Sequence, residues 1–128
     1  MSMHIAFDAG GRFMRVTLEG ALGFETFVTS FDALVSHPSY RPGANTIWDF
    51  REAPLAGVPT ETLRRIMRFA TERQELRRGA RVAAVVGSDT DFGVARIFEA
   101  LAADLPIDFQ VFRDIGEAET WASGPQPD

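Results

Sequence analysis

Arg81-Val82-Ala83-Ala84-Val85-Val86-Gly87 is the stretch on which the fold turns. After its first residue it presents no polar side chain before the glycine. It therefore reads as a strand covered on both faces, the kind found inside a parallel sheet. Gly87-Ser88-Asp89-Thr90 supplies capping-type residues at its end. Val94, Ile97, Phe98 and Leu101 then recur at helical spacing, and Pro106 closes that helix.

Outward from this unit the pattern repeats. Asp108 to Arg113 reads as a further strand with Phe109 and Val111 on one face. Asp114 with Glu117 resembles a capping box for a final helix, whose inner face is Ala118, Trp121 and Ala122. Toward the N-terminus, Pro59 suits a first helical turn, and Leu63, Ile66, Met67 and Ala70 form the stripe of a helix running from about Pro59 to Arg78. Before it come a loop, Arg51 to Val58, and a short β-branched and aromatic strand, Thr46 to Phe50. Phe24, Phe27, Val28, Phe31, Leu34 and Val35 define another helix, which Pro38 stops by Ser36 or His37. His4 to Asp8, the glycines at 10 and 11, and Met14, Val16 and Leu18 make an opening hairpin.

The order ββαβαβαβα predicts an α/β fold: one mixed, mostly parallel five-stranded sheet with four helices. One domain is expected over residues 1–123, with a flexible tail over 124–128. The balance of 45% apolar and 24% charged residues is that of an ordinary globular chain rather than a disordered one. There is no cysteine, which removes disulfides, thiolate nucleophiles and cysteine-built metal sites. No apolar run approaches the length of a membrane span, and the first residues do not resemble a secretory signal, so a cytoplasmic location is expected. The net charge of −5 argues against a general nucleic-acid binder.

Element order, Thr46-Ile47-Trp48-Asp49-Phe50-Arg51 as a strand running into an Asp-x-Arg turn, the strand at 81–87, and Phe112-Arg113-Asp114 through Ala118 and Trp121 together resemble the STAS and SEC14-like group. The resemblance is to its SpoIIAA-like branch, related to anti-sigma-factor antagonists, and covers His4 to Ala122. It implies a STAS-like fold and a non-catalytic module that docks partner proteins or holds lipids or nucleotides. Antagonists of this kind carry an Asp-Ser-Ser-Gly phosphorylation motif where this chain reads Gly57-Val58-Pro59-Thr60-Glu61-Thr62. The phosphoserine switch is therefore not expected. Thr60 is the hydroxyl available for phosphorylation at that helix start, or else an ordinary first-turn residue.

Asp49 and Arg51 end a strand, where an open parallel sheet presents its binding crevice, and they are the first candidates for ligand contacts. The alternative is a local ion pair that fixes the loop. Gly93 and Arg96 follow a strand-to-helix turn suited to anions, although Asp89 and Asp91 there disfavour phosphate. The structural reading is preferred there, with Gly93 as a close-packing position and Arg96 reaching the turn's carboxylates. His4 and His37 do not have metal-ligand spacing, so no metal and no cofactor are expected.

Residues 64–81 hold seven arginines (64, 65, 68, 73, 77, 78 and 81) against Glu72 and Glu75, a basic segment open to an acidic partner or simply solvated. Phe69 and Leu76 widen the apolar arc of the same helix beyond what one sheet face covers. With Arg65, Arg73 and Arg77 beside them, they suggest a homodimer contact. Burial of these residues by the loop 51–58 would need no partner.

A protein-interaction or small-ligand module, for an apolar or anionic ligand, is thus the first functional reading. A small enzyme with an acid–base site assembled from loop carboxylates and arginines is the second, and a self-associating structural unit the third.

Overall fold

The computed structural model describes residues 2–8 and 10–124. Ala9 of the expected reversal, and residues 125–128 of the expected tail, lie outside them. The strands are β1 (Ser2–Phe7), β2 (Met14–Glu19), β3 (Thr46–Glu52), β4 (Arg81–Val85) and β5 (Asp108–Phe112). The α-helices are α1 (Phe24–Val35), α2 (Thr60–Glu72), α3 (Asp89–Leu101) and α4 (Ile115–Ala122). The strands lie side by side in chain order, β1 antiparallel to β2 and the others parallel. This is the mixed sheet read from the sequence, with β4 between β3 and β5.

Three successive parallel crossovers of the usual right hand, all stepping the same way, place α1, α2 and α3 on one face. The pleat divides the strand residues accordingly. Trp48, Phe50, Val82, Ala84 and Val86 join the cluster under α1–α3, whereas Ile47, Ala83 and Val85 join Phe13, Ala118 and Ala122 under α4. Both faces of β3 and β4 are therefore covered. Asp49 shares the α4 face of β3 with Ile47, so it points away from the larger core.

Local chemistry explains three of the helix ends. Ser88 Oγ accepts from Asp91 N at 3.1 Å and caps α3. Asp114 accepts from Gly116 N at 2.9 Å and caps α4, in place of the bond to Glu117 that a capping box would give. The second helix is shorter than its periodicity predicts. The backbone leaves α geometry at Arg73 (φ −115°, ψ 21°), and a single 3-10 turn, Gln74–Leu76, follows. Arg73 Nη1 donates to the freed Phe69 carbonyl at 3.3 Å, satisfying one of the helix-end acceptors. After this turn the chain runs against the loop before β3. There Gly43 (φ +79°) lies so close that a β-carbon would stand 2.7 Å from the Arg78 carbonyl oxygen.

Candidate functional site

Helices α1–α3 do not fill the sheet face they cover. Between them and β3–β5 lies a cavity of about 100 Å³. The rings of Phe27, Phe31, Trp48 and Phe50 form part of its wall. One alanine comes from each of three elements: Ala70 of α2, Ala84 of β4 and Ala95 of α3. Side chains this short leave a volume that a leucine at any of these positions would enter. Among the described residues, the polar atoms in the lining side chains belong to Gln74, Arg77 and the indole of Trp48. Dry apolar cavities of about 150 Å³ take up benzene or xenon, so this space is of the right order for a compact apolar group.

Among the described residues Arg77 is the one charged group in that wall, and it is buried, with 6% of its surface exposed. The turn 74–76 carries it inward beneath the loop before β3. Nη1 donates to the Ala44 carbonyl at 2.8 Å and to Tyr40 Oη at 3.2 Å, and Nη2 donates to Thr46 Oγ1 at 2.7 Å. Tyr40 in turn donates its hydroxyl proton to the Leu76 carbonyl. Among the described residues no carboxylate pairs with Arg77. Burial pushes its pKa below the ordinary arginine value, with Tyr40 partly opposing the shift.

Asp49 and Arg51 occur together as a closed ion pair on the other face of the sheet. Arg51 forks onto the carboxylate through Nε (2.9 Å to Oδ1) and Nη2 (2.7 Å to Oδ2), and its backbone N donates to Oδ1 at 3.1 Å. Arg15 Nη2 adds a bond of 3.1 Å to Oδ2. Burial alone would raise the Asp49 pKa, but these donors outweigh it and hold the carboxyl below its ordinary range. A carboxylate so occupied fixes the end of β3, as the ion-pair reading expects, and has little capacity left for a ligand.

Gly93 and Arg96 are exposed on α3 and belong to neither site. A β-carbon on Gly93 would meet nothing within 4 Å, which removes the close-packing reading. Arg96 pairs with Glu99 at 2.7 Å instead of with the turn's carboxylates. Those carboxylates have other partners: Asp89 takes Arg113, and buried Asp91 accepts from Ala56 N at 2.8 Å, tying the loop between β3 and α2 to α3. Thr60 is exposed as the first residue of α2.

The proposed contact helix is covered from within the chain. Phe69 is buried, and its ring stands edge-on to Phe31 at 5.3 Å, and to Phe24 and Phe27 at 6.1 Å. The cover is α1 rather than the loop 51–58. Arg73 lies 3.6 Å over the Phe69 ring and Arg65 lies 4.2 Å over Phe24, so both arginines close an intrachain aromatic cluster. Of the five residues suggested for a dimer contact, Arg65 and Leu76 are exposed. His37 Nδ1 accepts from Ser39 N at 3.1 Å in the turn after α1, and His4 is exposed on β1.

The sequence reading placed Arg77 in the basic segment and beside the dimer contact, not in a cavity wall, and passed over Asn45. Arg77, seven residues after Ala70, continues the apolar stripe, and a lone arginine on a stripe is a signal that was available. Asn45 gave none. It is fully buried, donating to the Ala122 carbonyl at 2.8 Å and accepting from Arg81 N at 2.9 Å, and so joins α4 to the start of β4.

No protein-family model and no curated protein matches the chain. A solved structure does. The crystal structure of an uncharacterized protein of the DUF3478 family with a SpoIIAA-like fold, from Shewanella loihica PV-4, superposes with a TM-score of 0.63. The match covers 94% of this chain and 92% of that one at 14% sequence identity. At that identity the likeness speaks for architecture alone, and the architecture of this chain is the SpoIIAA-like fold.

Proposed function

We propose that the chain is a non-catalytic binding module that holds a small apolar ligand between its sheet and helices α1–α3. The observation that carries this reading is the cavity itself, lined by aromatic and aliphatic side chains and held open by Ala70, Ala84 and Ala95. Ligand sites are commonly concave, mainly apolar and supplied with a few placed polar groups, as this one is by Gln74 and Arg77. Among the described residues its wall contains no carboxylate, histidine or hydroxyl, so an acid–base couple has no counterpart there. The Asp49 cluster, the alternative start for an enzyme, is committed to its own arginines.

Trp48 lines the cavity and reports on its contents, whereas Trp121 packs on Phe112 at the opposite face. In a Trp121→Phe background, benzene or 1-pentanol should change Trp48 emission saturably. Ala95→Leu, which fills the space, should abolish the response while the protein stays folded. A wild-type protein whose Trp48 ignores every such probe would sink the reading.

A further inference from the structure

We infer that the ligand of this cavity carries a single anionic head group, which pairs with Arg77, so that the ligand class is a compact monocarboxylic acid with an apolar tail. The inference rests on the cavity being a ligand site and adds to it the identity of the head group.

Arginine brings five N–H donors and stays charged in proteins. Arg77 uses three of those donors, all on neutral acceptors: the Ala44 carbonyl, Tyr40 Oη and Thr46 Oγ1. The Nε–H and one Nη2–H have no protein acceptor among the described residues. A buried charge held only by neutral dipoles is costly, and folds usually provide a counter-ion. Here the described residues provide none, although Glu72 and Glu75 are close in sequence. Glu75 is engaged outward with Arg78, and Glu72 with Arg73.

The placement completes the case. Arg77 stands in the wall beside Gln74, and every other lining side chain except Trp48 is apolar. A molecule entering this space meets one cationic group, the amide of Gln74, the indole of Trp48 and otherwise hydrocarbon. A carboxylate suits the planar fork, and a tail of about four carbons suits a volume somewhat below that which holds benzene. A hydrogen bond to a charged group contributes enough to separate an acid from its neutral isostere by roughly tenfold to a hundredfold.

The test compares pentanoate, 1-pentanol and pentylamine by isothermal titration calorimetry at fixed ionic strength, with Trp48 emission locating the site. The wild type should bind pentanoate at least tenfold more tightly than 1-pentanol, and pentylamine least well. Arg77→Met should erase the preference while keeping 1-pentanol binding, and Arg77→Lys should restore part of it. If Arg77→Met does not fold, the wild-type ranking decides alone. Equal affinity for the acid and the alcohol overturns the head-group assignment and leaves the apolar site standing. Pentanoate binding that survives Ala95→Leu, without perturbing Trp48, also overturns it. Failure of all three probes to bind overturns both readings together.

Discussion

Asp49 shows how a single buried carboxylate can be set by its neighbours. Its two oxygens accept from Arg51 three times and from Arg15 once, and its pKa lies below the ordinary aspartate value. A depressed folded-state pKa means that the contribution to stability is fully present above the unfolded value of about 3.9 and fades as pH falls through the folded one. Asp49→Asn should therefore destabilise the protein at pH 7 by about 1.5–3 kcal/mol, the range for hydrogen bonds to charged groups. Urea denaturation at several pH values should show the gap between wild type and variant narrowing below pH 4. A gap that stays constant down to pH 3 would contradict the role given to this ion pair. The residue types at 49 and 51 made the pairing legible in the sequence, but the third partner, Arg15, comes from a neighbouring strand 34 residues away.

At the scale of elements, α1 and α2 are joined through aromatic rings. Phe69 projects from α2 into the phenylalanines of α1, with Phe27 in turn stacked on Trp48 at 5.4 Å. The periodicity of α2 showed an apolar arc too wide for a sheet face to cover, and that much was correct. Periodicity does not say which neighbour covers the surplus, because helix-to-helix contact depends on where each crossover lands. Phe69→Ala should cost about 3–5 kcal/mol in thermal or urea unfolding, as expected for a buried aromatic. Phe69→Glu should leave the protein unfolded. A folded monomer obtained from a dimeric wild type with Phe69→Glu would restore the intermolecular reading.

Across the whole molecule, covering and pairing are unequal. β3 and β4 have strands on both sides and helices on both faces, while β1 is an edge strand whose residues are half-buried or exposed. Amide hydrogen exchange should accordingly be slowest in Ile47–Asp49 and Val82–Val85 and faster by orders of magnitude in the outer amides of β1. Uniform protection across all five strands would contradict this gradient. Among the described residues no helix is long and apolar enough to cross a membrane.

The sequence by itself determined the order of elements, the mixed sheet and the inner place of β4. Those follow from local rules: the period of apolar residues, the turn and capping residues, and the fixed hand of crossovers. The tertiary structure alone decided the cavity, the polar partners of Arg77 and the closing of α2 by α1. A cavity is a deficit of volume, and Ala70, Ala84 and Ala95 belong to three elements that meet only once the chain is packed. The environment of Arg77 is likewise non-local, since its acceptors, Tyr40, Ala44 and Thr46, lie more than thirty residues away along the chain. Asn45, bridging α4 and β4, had no signature for the same reason. Hydrogen-bond partners and empty volume are properties of distances between elements, and a pattern read along one chain carries only the periods within them.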